Sequence, residues 1–353
     1  MNTRLCLPTL ALVLAAPLLG GCVDKDKIAT VADAENQLFT PDGRLIVTGG
    51  TGVFEIVRSG EGFAAQPLQA ETPGACNYTG LAQIGGWVFA ACQQRPHGLF
   101  GAPDNHLLAA QVASGRPLRF VQVERAASPD PLDTLTLPNG LAKAPGGHLL
   151  VADYNLFGTG GVARVTLDFA GSRPRIVGFE KNWLAAAHGI NHPNGVRVSG
   201  NELFVSEFNA VKRYQFDAAG AVPLYLPTPR GSLVKNEVTV HAGASVVDDI
   251  QPLCGGVAIT DYLGGQVLHM APAGRDLNGL PTYRQVYASG LASLQGPSSV
   301  QVGRAPLFDG HDVLVTEKGL LLEFNSSYGN RLSRVKSSLD LGDPASCVQI
   351  NGR

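Results

Sequence analysis

NGLAKAPGGHLLVAD (Asn139–Asp153) and NGVRVSGNELFVSE (Asn194–Glu207) decide the fold of this chain. Each reads as a polar residue, an apolar strand, a glycine-containing turn and a second apolar strand ending in an acid. The unit recurs on both sides as ENQLFTPDGRLIVT (Glu35–Thr48), TGLAQIGGWVFAAC (Thr79–Cys92), DDIQPLCGGVAITD (Asp248–Asp261) and SSVQVGRAPLFDGHDVLVTE (Ser298–Glu317). Only the last has a long turn. Six copies of one hairpin are a repeat architecture.

The second-strand anchors are Val47, Phe89, Val151, Val205, Ile259 and Val315, spaced 42, 62, 54, 54 and 56 residues apart. Each interval holds about four short strands, the content of a propeller blade. A two-sheet sandwich accounts for alternating strands but not for one hairpin used six times. The reading is therefore an all-β, six-bladed β-propeller. The first strand of each blade lines the channel, so residues that open successive copies converge at one height. That column is Glu35, Thr79, Asn139, Asn194, Asp248 and Ser298.

Two carboxylates and two amides aimed at one point offer only hard oxygen ligands, with no Cys or His among them. That chemistry suits calcium (Ca2+) better than zinc, copper or magnesium. Asp249 follows Asp248 and is expected to add an oxygen or support the shell. Pro138-Asn139-Gly140 and Pro193-Asn194-Gly195 also read singly as turn tripeptides.

These motifs, with LPNGLAKAPGGHLLVADY, HPNGVRVSGNELFVSE and VVDDIQPLCGGVAITDYLGG, resemble the calcium-dependent six-bladed propeller hydrolases. Gluconolactonase/regucalcin, diisopropyl fluorophosphatase and the paraoxonases belong there, with strictosidine-synthase-like proteins as cousins. The resemblance covers roughly Ala34 to Phe324. It implies that Glu35, Asn139, Asn194 and Asp248 hold a catalytic calcium, with Asp249 as a further ligand. It departs at Thr79, where paraoxonases carry a histidine. It departs again at Asn36 and Gly140, where their structural calcium uses acids, so a second metal of that type is not expected. The function implied is hydrolysis of a small lactone or related ester, with Asp248 as base or nucleophile and Thr79 and Ser298 lining the pocket. A non-catalytic surface binding or scaffold propeller, with a structural calcium in its channel, is the alternative. His188, His192, His97 and His106 read as ordinary loop histidines. Asp153, Glu207, Asp261 and Glu317 read as turn caps.

The N-terminus reads as a processing segment. Arg4 precedes an apolar run, Leu5–Leu19, that Pro8, Thr9 and Pro17 interrupt. Leu19-Gly20-Gly21-Cys22 resembles the bacterial lipoprotein signal, which implies acylation of Cys22. With Val23 at position two, that resemblance implies an exported protein anchored by lipid to the outer membrane. The expected division is residues 1–21 as signal, 22–30 as lipidated tether and 31–353 as a single propeller.

Of the remaining cysteines, Cys76 and Cys92 flank one hairpin and are the favoured disulfide. Cys254 and Cys347 pair only by elimination, with free thiols left open. A net charge of −2 provides no basic face, so no nucleic-acid partner is expected. The expected partner is a small-molecule substrate, and the expected state is a monomer.

Overall fold

The computed structural model describes residues 25–50, 52–72, 74–93, 104–125, 131–155, 157–320, 327–338 and 340–351. Cys22 and His97 lie outside them. Six antiparallel sheets, each with four main strands, form the blades of a β-propeller. Blades 1 to 5 span 34–67, 77–122, 138–184, 196–242 and 247–288. Blade 6 takes three strands from 297–336, and Lys25–Thr30 adds its outermost one, pairing antiparallel with Arg331–Lys336. That strand corrects the expected 22–30 tether, because closing the ring requires an edge strand, and Ile28 and Ala29 are buried there. No helix among the described residues is long and apolar enough to cross a membrane.

The core lies between blades. Phe89 and Ala91 of blade 2, for example, pack on Leu141, Leu149 and Val151 of blade 3. The anchor of blade 2 is Ala90 and not Phe89. Leu81, two residues after Thr79, pairs with Ala90, just as Leu141 pairs with Val151 and Ile250 with Ile259. In a strand a shift of one residue changes the face. Ala90 therefore faces blade 1, beside Ile46 and Val53, as every other anchor faces the blade before it. Phe89 faces blade 3.

In five blades the inner strand breaks register at the column residue, between Ala34 and Gln37, Tyr78 and Leu81, Pro138 and Leu141, Val247 and Ile250, and Pro297 and Ser299. Such bulges re-aim side chains, here at the channel mouth. The Asn-Gly pairs are accordingly not turns, and neither Gly140 nor Gly195 has a positive φ. Glycine stands there because the next blade presses close. A Cβ on Gly140 would lie 2.7 Å from the Asn194 carbonyl oxygen, and one on Gly80 would lie 2.0 Å from that of Asn139.

Candidate functional site

Bulge and blade closure bring the column residues to one end of the channel. Glu35, Thr79, Asn139, Asp248 and Ser298 are buried, and Asn194 is half-buried. Three of them join side chain to side chain. The Asn139 amide donates to Asn194 Oδ1, and the Asn194 amide donates to Asp248 Oδ1 at 2.8 Å.

Thr79 and Ser298 are placed otherwise. Thr79 Oγ1 donates to the Pro138 carbonyl at 2.7 Å, and Ser298 Oγ donates to the Ala34 carbonyl at 2.6 Å. Both hydroxyls tie one blade to the next instead of facing a substrate. They belong to a wider set of such ties. Thr48, Ser206, Thr260 and Thr316, each one residue beyond a second-strand anchor, donate to the carbonyls of Thr79, Asp248, Ser298 and Glu35 respectively. Each hydroxyl thus fixes the backbone of the next blade's column residue.

Asp249 is directed to a different partner. Its Oδ2 is held by Arg197 and by Asn36 Nδ2 at 3.0 Å, and Arg197 also donates to Asn36 Oδ1 at 3.1 Å. An acid paired with a guanidinium supports the ring from beside it.

The loops entering the mouth are pinned by the acids that end the second strands. Asp153 accepts from the backbone amides of Thr136 and Leu137 at 2.6 and 2.8 Å, just before Asn139. Glu207 accepts from those of Asn191 and His192 at 3.0 Å, just before Asn194. Glu317 accepts from Gln295, just before Ser298, and Asp261 from Gly264 at 2.9 Å. These are turn caps with a second effect, since three of them hold the segments that carry column residues. His192 is likewise engaged, its Nδ1 lying 2.7 Å from the Asn155 carbonyl. The His188 carbonyl accepts from the Tyr214 hydroxyl at 3.0 Å. Buried His106 meets Asp104 at 3.0 Å and Gln122 at 2.8 Å.

The feature with no forewarning in the sequence is Lys318. Its ammonium pairs with Glu35 Oε2 and lies 3.4 Å from Asp33 Oδ1. Burial alone would depress its pKa, but Glu35, Asp33 and Asp248 outweigh burial and hold it above the ordinary lysine value. Burial pushes Asp33 up to about 6 against the pull of Lys318, with Glu35 adding to the rise. Asp248 is raised well above the usual carboxylate range, first by burial and next by Glu35, while Lys318 opposes. Burial and then Asp248 also raise Tyr154 and Tyr262. Asp249 rises through burial, with Arg197 pulling it back.

The donor set fits a hard cation. Two amides are linked to Asp248, which is both dehydrated and repelled by Glu35, a cost that a divalent ion beside them would relieve. Among the described residues, no three His, Cys, Asp or Glu side chains gather as a metal cage. Half the donors here are amides, which is characteristic of calcium rather than zinc. The channel opens at its far end into a space of about 900 Å³ lined in part by Lys143, Arg197, Gln251 and Gln301.

The fold and the mouth together define a six-bladed propeller with a buried ring of acids and amides. No protein-family model and no curated protein matches the chain. Among solved structures it is similar to an oxidoreductase of Thermus thermophilus described as a glucose dehydrogenase. That likeness has 16% identity and a TM-score of 0.54, over 89% of this chain and 99% of the other. It is also similar to the PQQ-bound aldose sugar dehydrogenase of Streptomyces coelicolor, at 13% identity and a TM-score of 0.53, over 91% and 99% of the two chains. At such identities the likeness is one of fold, to propellers that include enzymes, and chemistry has to be argued from the site.

Proposed function

We propose that the protein is a calcium-dependent hydrolase of a small lactone or related ester, acting at the channel mouth. The observation that carries this reading is the linked set Asn139–Asn194–Asp248, with the Glu35 carboxylate acting electrostatically on Asp248. Glu35, Asn139, Asn194 and Asp248 would hold the ion. Bound calcium would supply Lewis-acid polarisation of the substrate carbonyl. Asp248 takes a proton from the water that adds to the carbonyl carbon as the ester C–O bond breaks. Alternatively, it attacks that carbon itself and expels the same oxygen, leaving an acyl–Asp248 that water then cleaves. In both, the Asn194 amide fixes the carboxylate's orientation through the 2.8 Å hydrogen bond. The paired Lys318 keeps positive charge at the mouth, where negative charge develops on the substrate oxygen.

The same lysine supports a second reading. With Glu35 neutralised by a resident ammonium, the mouth is partly balanced without metal, as suits a binding or scaffold propeller. Calcium and Lys318 therefore compete for Glu35. Lys318→Met should tighten calcium binding about tenfold or more by titration calorimetry, roughly 1.4 kcal/mol, and Lys318→Arg should not. Unchanged affinity in Lys318→Met would remove Glu35 from the ligand set. The two readings separate on turnover of lactones, aryl esters and phosphotriesters with and without a chelator.

We also propose that the protein is exported and lipidated at Cys22. Two disulfides suit an oxidising compartment. Only Val23 and Asp24 lie between Cys22 and the strand Lys25–Thr30, so blade 6 would rest against the lipid surface. Mass spectrometry of the N-terminal peptide should find acyl chains on Cys22, and an unmodified cysteine there would end this proposal.

A further inference from the structure

Blades 5 and 6 enclose a space of about 300 Å³, remote in character from the channel mouth. Its walls are mainly apolar, formed by Val267, Leu294, Val300, Val313, Val315 and Val335. Gln251, Tyr287, Ser289, Gln301 and Lys336 also border it, and one imidazole stands among the valines. His269, on the third strand of blade 5 (Gln266–Arg275), is only 4% exposed, and among the described residues neither ring nitrogen has a hydrogen-bond partner.

The repeat shows how unusual this is. His269 lies opposite Ala258 in the strand register. The same position is Glu55 opposite Ile46, Ala109 opposite Phe89, Arg164 opposite Leu150, Arg213 opposite Phe204, and Arg334 opposite Leu314. Every charged residue in that set has a partner. Glu55 lies 3.8 Å from Arg44, Arg164 Nε is 2.9 Å from Glu180, Arg213 Nε is 2.8 Å from Glu202, and Arg334 is 2.7 Å from Asp26. The fold therefore tolerates a polar group here when it is matched, and His269 is unmatched. A buried polar group with no partner is costly and calls for an explanation.

Water is a poor one. A buried water needs two to four polar partners, and apolar cavities stay dry. The nearby Ser289 hydroxyl is already engaged, 3.0 Å from the Val267 amide and 2.9 Å from Ser293 Oγ. We propose that the space between blades 5 and 6 is a binding site for a small uncharged hydrophobe carrying one hydroxyl group, held at that hydroxyl by His269.

Charge and hydrogen-bond count select this class. Burial lowers the His269 pKa to about 4, so the ring is neutral near pH 7, with one donor and one acceptor nitrogen. A hydroxyl can meet either nitrogen, donating to the bare one or accepting from the N–H, whichever tautomer the ring adopts. A carboxylate or ammonium would be stranded, because among the described residues the only charged side chain lining the space is Lys336, which pairs with Asp312. The volume matches the lower end of the range for small-molecule pockets, about 300–1,000 Å³.

The test uses the processed protein with 15N-labelled histidine, titrated with 4-ethylphenol and with ethylbenzene, which has the same body but no hydroxyl. The phenol should shift one imidazole saturably, at sub-millimolar concentration, and that resonance should be missing from His269→Phe. Ethylbenzene should bind wild type at least tenfold more weakly than the phenol, and His269→Phe should lose that preference. Should His269→Phe fail to fold, Ala258→Leu, which fills the space from the facing strand and keeps the histidine, should abolish the shift instead. Equal affinity for the two probes in wild type, a shift that survives Ala258→Leu, or a water resonance in contact with the imidazole that neither probe displaces would overturn the proposal.

Discussion

Asp248→Asn should lower hydrolase turnover by about a thousandfold, within the range of 10²–10⁴ typical for loss of a general base, while the propeller stays folded. The side chains are nearly isosteric, and the amide oxygen of the variant can still accept the hydrogen bond that Asn194 gives at 2.8 Å. What disappears is one negative charge from a mouth where Glu35 and burial already oppose it. Two further results follow from that charge. Without calcium the variant should melt above wild type, because a dehydrated, repelled carboxylate has gone, a common exchange of activity for stability. With calcium the order should reverse. Free ion at a hundredfold its dissociation constant adds about 2.7 kcal/mol to wild type and less to the weaker-binding variant. Paired calorimetric melts in chelator and in calcium, alongside lactone turnover, measure all three. Full turnover in Asp248→Asn would dismiss the mechanism, and identical melts in chelator and calcium for wild type would dismiss the metal.

Breaking the Cys254–Cys347 disulfide should destabilise the protein more than breaking Cys76–Cys92. The structure joins both pairs, with Cα atoms 4.9 and 5.2 Å apart. The first closes 93 residues and the second 16. Chain-entropy scaling makes these about 4–5 and about 3 kcal/mol. Topology points the same way. The long-range bond fastens the hairpin tip of blade 5 to the C-terminal helix Pro344–Asn351, across blade 6. Blade 6 is otherwise completed by the pairing of Lys25–Thr30 with Arg331–Lys336 and by contacts with blade 1 such as Lys318–Glu35. Urea melts of Cys347→Ser and Cys76→Ser should therefore show the larger loss of midpoint in Cys347→Ser. The opposite order would mean that the ring is closed without help from that bond.

The blade count and the column were legible in the sequence because both rest on local physics. A strand buried on both faces needs an apolar run, a hairpin needs a turn, and six repeats of that pattern carry their own register. The column residues could be chosen from this register because each sits two positions before the residue that pairs with its anchor. The slip at Phe89 shows the limit of the method. Phe89 and Ala90 are both buried in a near-continuous apolar strand, Trp87–Gln93, so hydropathy alone does not say which faces which blade. Only the pairing of Leu81 with Ala90 does.

What the sequence by itself determined is the set of residues that local pattern places: six hairpins, their opening polar residues and the acids that end the second strands. What only the tertiary structure decided is where each side chain spends its hydrogen bonds. Lys318 meets Glu35 across 283 residues because the last blade closes against the first. Thr79 and Ser298 turn their hydroxyls to a neighbouring blade's backbone, and Asp249 turns to Arg197. Lys25–Thr30 becomes a strand only because blade 6 would otherwise end in an open edge. These outcomes depend on contacts between residues far apart in the chain, and no window of sequence contains both partners.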